Sequence, residues 1–212
     1  MAILKFICHS HKVTSIALDY GWLPGARYTN LRDVKKYDKL YFLDIDWKKY
    51  NYRKHLEVAK ETHPMITVAR DIMELGDLTQ ILKEASELSL YAEKVIIVPK
   101  DEKLAPYLPD IIPDNFLLGF SVPTNYGGTS LKMECFSSRK VHLLGGHPAK
   151  QRILGNFLNI FSLDCNRITL DAKYGDYFDG VTFRPHNLGG YDLCLKDSLS
   201  NVNKIWEDYK TQ

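Results

Sequence analysis

The sequence predicts an α/β protein, a compact (β/α)8 TIM-like barrel with some helices reduced to loops. Short apolar runs rich in Val, Ile, Leu and Phe recur along the chain and are nearly continuous, as strands buried on both faces are. Helical patterns separate several of these runs, and alternating strands and helices build a parallel sheet. Seven or eight such units suit a closed barrel, although 212 residues falls short of the roughly 250 typical of that fold. An open doubly wound sheet is the alternative topology. No repeat, low-complexity segment or Pro/Gly-rich linker divides the chain, so residues 1–212 read as one domain.

The strand candidates are Ile3–Cys8, Leu40–Asp46, Met65–Asp71, Lys94–Pro99, Asn115–Pro123, Lys140–Gly145 and Ile160–Asp164, with a weaker eighth at Gly180–Arg184. Over Asp77–Ala92, Leu78, Ile81, Leu82, Ala85 and Leu88 recur at three- and four-residue steps and line one helical face. Asp77 and Gln80 have the spacing of a capping box. Pro148 suits the first turn of a helix whose buried face is Ile153, Leu154, Phe157 and Leu158. A last helix over about Leu195–Tyr209 buries Leu195, Leu199, Val202, Ile205 and Trp206. Residues 124–139 read as a loop with a Gly-Gly pair.

Composition narrows the function classes. An apolar fraction of 45% and a charged fraction of 25% are ordinary for a soluble protein. No apolar run approaches the roughly 20 residues of a bilayer span. The start, MAILKFICHSHK, lacks signal-peptide architecture, so a cytoplasmic setting is expected, host cytoplasm if the chain is viral. Cys8, Cys135, Cys165 and Cys194 form no CxxC pair and no zinc-spaced cluster. Neither GxxxxGK[ST] nor GxGxxG occurs, and no cofactor is expected. Residues 48–55, KKYNYRKH, interleave cations with tyrosines, a pattern that follows phosphates and stacks bases or else forms a solvated helix face.

The strand ends carry the functional reading, because a barrel brings them to one mouth. They deliver Asp44 and Asp46, Arg70 and Asp71, Lys100, Gly119 and Ser121, Gly145, Gly146 and His147, and Asp164 with Asn166. A carboxylate-rich pocket of this kind suits attack at an electron-poor sugar carbon, one acid as nucleophile and another handling the proton. Magnesium held by Asp44, Asp46 and Asp71 is the rival use. Gly145 and Gly146 let backbone N–H groups approach a ligand, or form a plain turn. His147 is a pocket candidate, His9 and His11 follow the first strand, and His142 alternates within a strand as a packed histidine. Cys165 reads as a small half-buried thiol.

The segment HLLGGHPAKQRILGNFLNIFSLDCN resembles the late-barrel part of tRNA-guanine transglycosylases, where a strand ends in an Asp-Cys pair. FLDIDWKKYNYRKHLEVAKETHPMITVARDI resembles the early part of the related DNA 7-deazaguanine transglycosylases, and LGFSVP their Gly-containing strand. The resemblance covers about residues 40–170. It implies Asp164 as nucleophile, Asp44 as general acid/base and Asp71 as a base-holding acid. It also implies Gly119 and Ser121 as heterocycle contacts, with Lys100 where some relatives carry a base-reading Gln. The implied partners are nucleic acid, DNA ahead of RNA, and a guanine or 7-deazaguanine base. Lys150 and Arg152 are candidate backbone contacts. The short form is most like stand-alone proteins of viral and bacterial genomes that modify DNA guanines. A nucleoside or nucleotide hydrolase or transferase, and a purine-sequestering protein without catalysis, are the competing expectations.

Overall fold

Eight parallel strands close into a barrel in chain order: β1 (Leu4–Cys8), β2 (Leu23–Arg27), β3 (Phe42–Asp44), β4 (Ile66–Val68), β5 (Lys94–Ile97), β6 (Leu117–Ser121), β7 (Lys140–Leu144) and β8 (Asn159–Asp164). Closure comes from β8 pairing with β1, Phe6 opposite Asp164. The computed structural model describes residues 3–108, 110–125 and 127–210; Tyr126 of the expected 124–139 loop lies outside them.

The shortness of the chain is absorbed in connections without an α-helix, of which the sequence predicts the one at residues 124–139. Helices α1 (His11–Leu18), α2 (Tyr52–Thr62), α3 (Leu78–Leu88) and α4 (Pro148–Leu154) follow β1, β3, β4 and β7. Among the described residues the connections after β2, β5 and β6 hold single 3₁₀ turns, at Arg32–Val34, Glu102–Leu104 and Met133–Phe136. After β8 come α5 (Arg167–Ala172), a hairpin of β9 (Asp176–Phe178) and β10 (Phe183–Pro185), and α6 (Tyr191–Ile205). Asn203 of α6 accepts from Trp22 Nε1 at 3.1 Å and donates to the Tyr20 carbonyl at 2.8 Å, tying the last helix to the segment between α1 and β2. Among the described residues no helix is long and apolar enough to cross a membrane.

Three expectations are corrected. The eighth barrel strand is β2, LPGAR, and the Gly180–Arg184 run instead enters the hairpin outside the barrel. Pro24 and Gly25 hide β2, since both residue types argue against a central strand. Glycine is needed there, because a Cβ at Gly25 would stand 2.6 Å from Cys8 Sγ and 3.1 Å from Phe42 Cβ. The expected buried face of the helix after Pro148 does not form: α4 ends at Leu154, Leu158 beyond it is buried, and Ile153 and Phe157 are exposed. Pro148 and Gln151 are the buried residues of that helix, so a polar side chain occupies a position that apolar periodicity cannot anticipate. Asp77 precedes α3 without a side-chain cap, and Gln80 bonds Glu84 at 3.0 Å instead.

One irregularity prepares the site. Along β7 and β8, Val141 pairs with Ile160 but His142 pairs with Ser162, so Phe161 is an extra residue in β8. A bulge of this kind re-aims the side chains beyond it. Here it sets Ser162 opposite His142 and carries Asp164 to the strand end.

Candidate active site at the mouth of the barrel

Asp164 closes β8 and accepts two hydrogen bonds on one oxygen. His142 Nε2 lies 3.3 Å from Oδ1, and the Gly145 amide donates to the same atom at 3.1 Å. Its Oδ2 has no hydrogen-bond partner among the described residues. Two donors on one oxygen hold the carboxyl plane and leave the other oxygen available to a ligand.

The sequence predicts His142 to be a packed histidine. It is packed: fully buried, it stacks on Phe42 at 5.1 Å between ring centroids and lies 6.1 Å from Phe6. Its polar edge is nevertheless committed to the site. Nδ1 meets Ser162 Oγ at 2.8 Å, so in the tautomer that turns Nε2–H to Asp164 the ring accepts from the serine hydroxyl. Period-two alternation places His142 on the inner face, but its contact with Asp164 depends on the β8 bulge.

Gln151 is a second residue without a sequence signal. Buried in α4, its Nε2 donates to the Gly145 carbonyl at 2.7 Å and the Asp164 carbonyl at 2.9 Å. It thereby ties together the two strand ends whose groups meet at Asp164 Oδ1. Gly145 and Gly146 take positive φ of 59° and 86°, conformations open to glycine at little steric cost. Space beside Gly145 is open, whereas a Cβ on Gly146 would strike Val122 at 2.5 Å.

Asp44 ends β3. Its Oδ1 accepts from the Ile45 amide at 2.8 Å, and Arg27 Nε lies 3.7 Å from Oδ2. Burial, reinforced by the negative charge of Asp164 and more weakly of Asp71, raises its pKa to about 7; the Ile45 amide and Arg27 oppose the rise. Cys8, at the end of β1, is pushed up by burial and then by both aspartates, which keeps its thiol protonated. Burial pushes Cys165 up to about 12, and this thiol meets the Gly146 carbonyl, an inert arrangement.

A cleft of about 970 Å³ opens above Asp164, walled by the ends of β1, β2, β7 and β8 and the loop after β6. Gly145, Gly146, His147 and Asn166 line it with Asp164, as does Lys150. His147 caps α4, Nδ1 accepting from the Ala149 amide at 3.2 Å, and it stands edge-on to Phe178 and Phe183 of the hairpin. Burial lowers its pKa, with Arg167 and Lys150 adding to the fall. Asn166 Oδ1 accepts from the Cys8 amide at 3.4 Å.

Asp44 itself is not among the residues lining this cleft, and the remaining candidates lie elsewhere as well. Asp71 and Lys100 pair with each other at 2.6 Å on the β4–β5 side, away from this cleft. Gly119 is buried, and a Cβ there would meet methyl groups of Ile96, Val98 and Leu144 at 2.7–2.8 Å, so its missing side chain makes room for the barrel core. Ser121 is half-buried at the end of β6, outside the cleft lining. Arg152 is spent on packing: it donates to the Ile205 carbonyl at 2.7 Å and to Asn156 at 2.8 Å, over the Trp206 ring. In the 48–55 segment, Tyr50 bonds His55 at 3.1 Å and Tyr52 bonds Glu87 at 2.7 Å, so both tyrosines turn inward while Arg53 and Lys54 face solvent. Among the described residues no group of three or more His, Cys, Asp or Glu side chains is placed to hold a metal ion, and Asp46 accepts from the Lys48 amide.

No curated protein matches the chain. Among solved structures it is similar to monomers generated from the dimeric phosphoribosylanthranilate isomerase of Thermotoga maritima, with 13% identity, 96% of this chain and 99% of that one covered, and a TM-score of 0.39. A phosphoribosyl anthranilate isomerase in complex with reduced 1-(o-carboxyphenylamino)-1-deoxyribulose 5-phosphate gives 13% identity, 96% and 100% coverage and a TM-score of 0.40. Residues 17–207 match the model of a family of unknown function, DUF6610, and the chain belongs to that family.

Proposed function

We propose that the protein is a base-exchange glycosyltransferase that replaces guanine in nucleic acid, DNA ahead of RNA, with a 7-deazaguanine through an aspartyl-glycosyl intermediate. The observation that carries this reading is the pairing of two unlike carboxyls at one barrel mouth. Asp164 has one oxygen held by His142 and Gly145 and the other free, the arrangement of an oriented nucleophile. Asp44 has its pKa raised to about 7, where a carboxyl still carries a proton to give at neutral pH.

In the proposed cycle, Asp164 Oδ2 forms a bond to C1′ as the bond from C1′ to guanine breaks. The bonding pair leaves with the purine, which takes the proton of Asp44. The ionised Asp44 then receives a proton from the incoming base as its nitrogen displaces Asp164 from C1′. Both carboxyls return to their starting states. A target inside a duplex must first leave the stack, at a cost of a few kcal/mol.

Asp164→Asn tests the reading, since the amide keeps the shape and cannot form the ester. Wild-type protein mixed with guanine-containing oligonucleotide is expected to yield a covalent adduct by mass spectrometry, and the variant none. An adduct or exchange at the wild-type rate in Asp164→Asn ends the proposal. A small-molecule nucleoside or nucleotide transferase is the second reading, favoured by a cleft whose volume suits a single small ligand. Turnover of free nucleoside without salt-sensitive binding to DNA or RNA would select it.

A further inference from the structure

We infer that the cleft beside Asp164 contains a phosphate-binding subsite, formed by Lys150, Lys173 and Arg167 with the backbone amides of Gly146 and His147. This deepens the glycosyl-transfer reading and rests on it only for which phosphate is bound: one attached to the sugar that Asp164 attacks.

Charge distribution is the first support. Five basic side chains line the cleft, Arg27, Arg32, Lys150, Arg167 and Lys173, against two acidic ones, Asp33 and Asp164. This excess of three exceeds the formal net charge of the whole chain, +2, so the rest of the protein is slightly acidic and the cleft is where positive charge gathers. A concave site lined by one sign of charge concentrates ligands of the other. The arginines are partly committed, Arg27 toward Asp44, Arg32 to Asp33 and Arg167 to Asp171. The lysines are not. The Lys150 ammonium meets only the Pro123 carbonyl, at 3.4 Å, and the Lys173 side chain makes no ion pair or hydrogen bond among the described residues.

Backbone groups supply the second, independent support. Gly146 and His147 both line the cleft, and neither amide has a hydrogen-bond partner among the described residues. They follow Gly145, whose own amide holds Asp164 and beside which the space is open. Successive backbone N–H groups presented by a turn form concavities that receive anions. The same field reaches both cleft histidines. Burial, then the charge of Lys173, lowers the pKa of His9, as Arg167 and Lys150 help to do for His147.

The test is calorimetric titration of the whole protein with inorganic pyrophosphate, guanosine 5′-monophosphate and guanosine, at low and moderate salt. The monophosphate is expected to bind at least tenfold more tightly than guanosine, and pyrophosphate to compete with it. Lys150→Ala/Lys173→Ala, both exposed positions, should erase that preference with an unchanged melting curve. A short single-stranded DNA lacking terminal phosphates forms the other arm. Salt-steep binding that the double variant loses assigns the subsite to a phosphodiester chain, and binding of the monophosphate alone assigns it to a free nucleotide. Equal binding of monophosphate and guanosine, or affinities untouched by the double variant, overturns the subsite. The titrations judge the subsite, and the covalent-adduct assay judges the transfer reaction, each without the other.

Discussion

The two sides of the barrel mouth hold acids in opposite ways. On the β4–β5 side, Asp71 is satisfied by Lys100 at 2.6 Å, and the pair neutralises itself. On the β7–β8 side, Asp164 receives two N–H groups on one oxygen, keeps the other free and faces an open cleft. Asp44 stands between these sides and feels both, Asp164 more than Asp71. A carboxyl at a strand end is therefore no guide to reactivity by itself. A cationic partner consumes its charge, whereas orienting dipoles leave it in place for a ligand.

The largest effect after loss of Asp164 is expected from Asp44→Asn, which should cut adduct formation by ~10²–10⁴-fold as general-acid losses do. In wild-type protein the rate should fall as pH rises through about 7, where Asp44 loses its proton, and the variant should lack that limb. Stability has the matching sign. The unfolded carboxyl ionises near its ordinary 3.8 and the folded one near 7, so folding binds a proton between those values and the contribution is lost as pH rises through the window. Asp44→Asn should thus gain on wild type from pH 4 to 7, by at most ~4 kcal/mol, measured by urea titration at several pH values. A pH-independent difference would show that Asp44 is already ionised when folded.

His142 sharpens the contrast between orienting and neutralising partners. His142→Phe removes both polar contacts and should slow adduct formation by roughly 10–100-fold, the scale on which slight misplacement of a reacting group is felt. His142→Gln, able to present an N–H toward Asp164, should recover part of the rate. Equal rates for Phe and Gln, with binding unchanged, would reduce His142 to packing.

Gly119→Ala separates core from site. The added methyl meets three others at 2.7–2.8 Å and should cost about 1–3 kcal/mol, seen as a lower melting temperature with ligand affinity unchanged. A selective loss of guanine binding at unaltered stability would return Gly119 to the ligand. The smallest effect on rate is expected from Lys100→Met, about threefold or less if the β4–β5 pair is structural, with the cost appearing as stability instead. A rise in KM of tenfold or more would place Asp71 and Lys100 on the base.

Much of this was legible because its physics is local. Seven of the eight barrel strands coincide with apolar runs, since strands covered on both faces must be apolar throughout. Asp44 and Asp164 were visible as acids where those runs stop. What escaped notice depends on neighbours distant in sequence. Strand β2 passes so close to Cys8 and Phe42 that it tolerates Gly25, and the resulting Pro-Gly reads locally as a turn. Gln151 sits where an apolar residue would suit the helix, because the carbonyls it must satisfy belong to two strand ends. Arg152 carries a charge that suggests a ligand, but the last helix takes it.

By itself the sequence determined the alternation of strand and helix, the barrel class and the acids delivered to its rim, because periodicity and burial act within a few residues. Only the tertiary structure decided which of those acids is neutralised and which is held ready. That choice rests on the Phe161 bulge, the inward face of His142 and the reach of Lys100, and Coulomb attraction and hydrogen bonding act over ångströms in space whatever the separation along the chain.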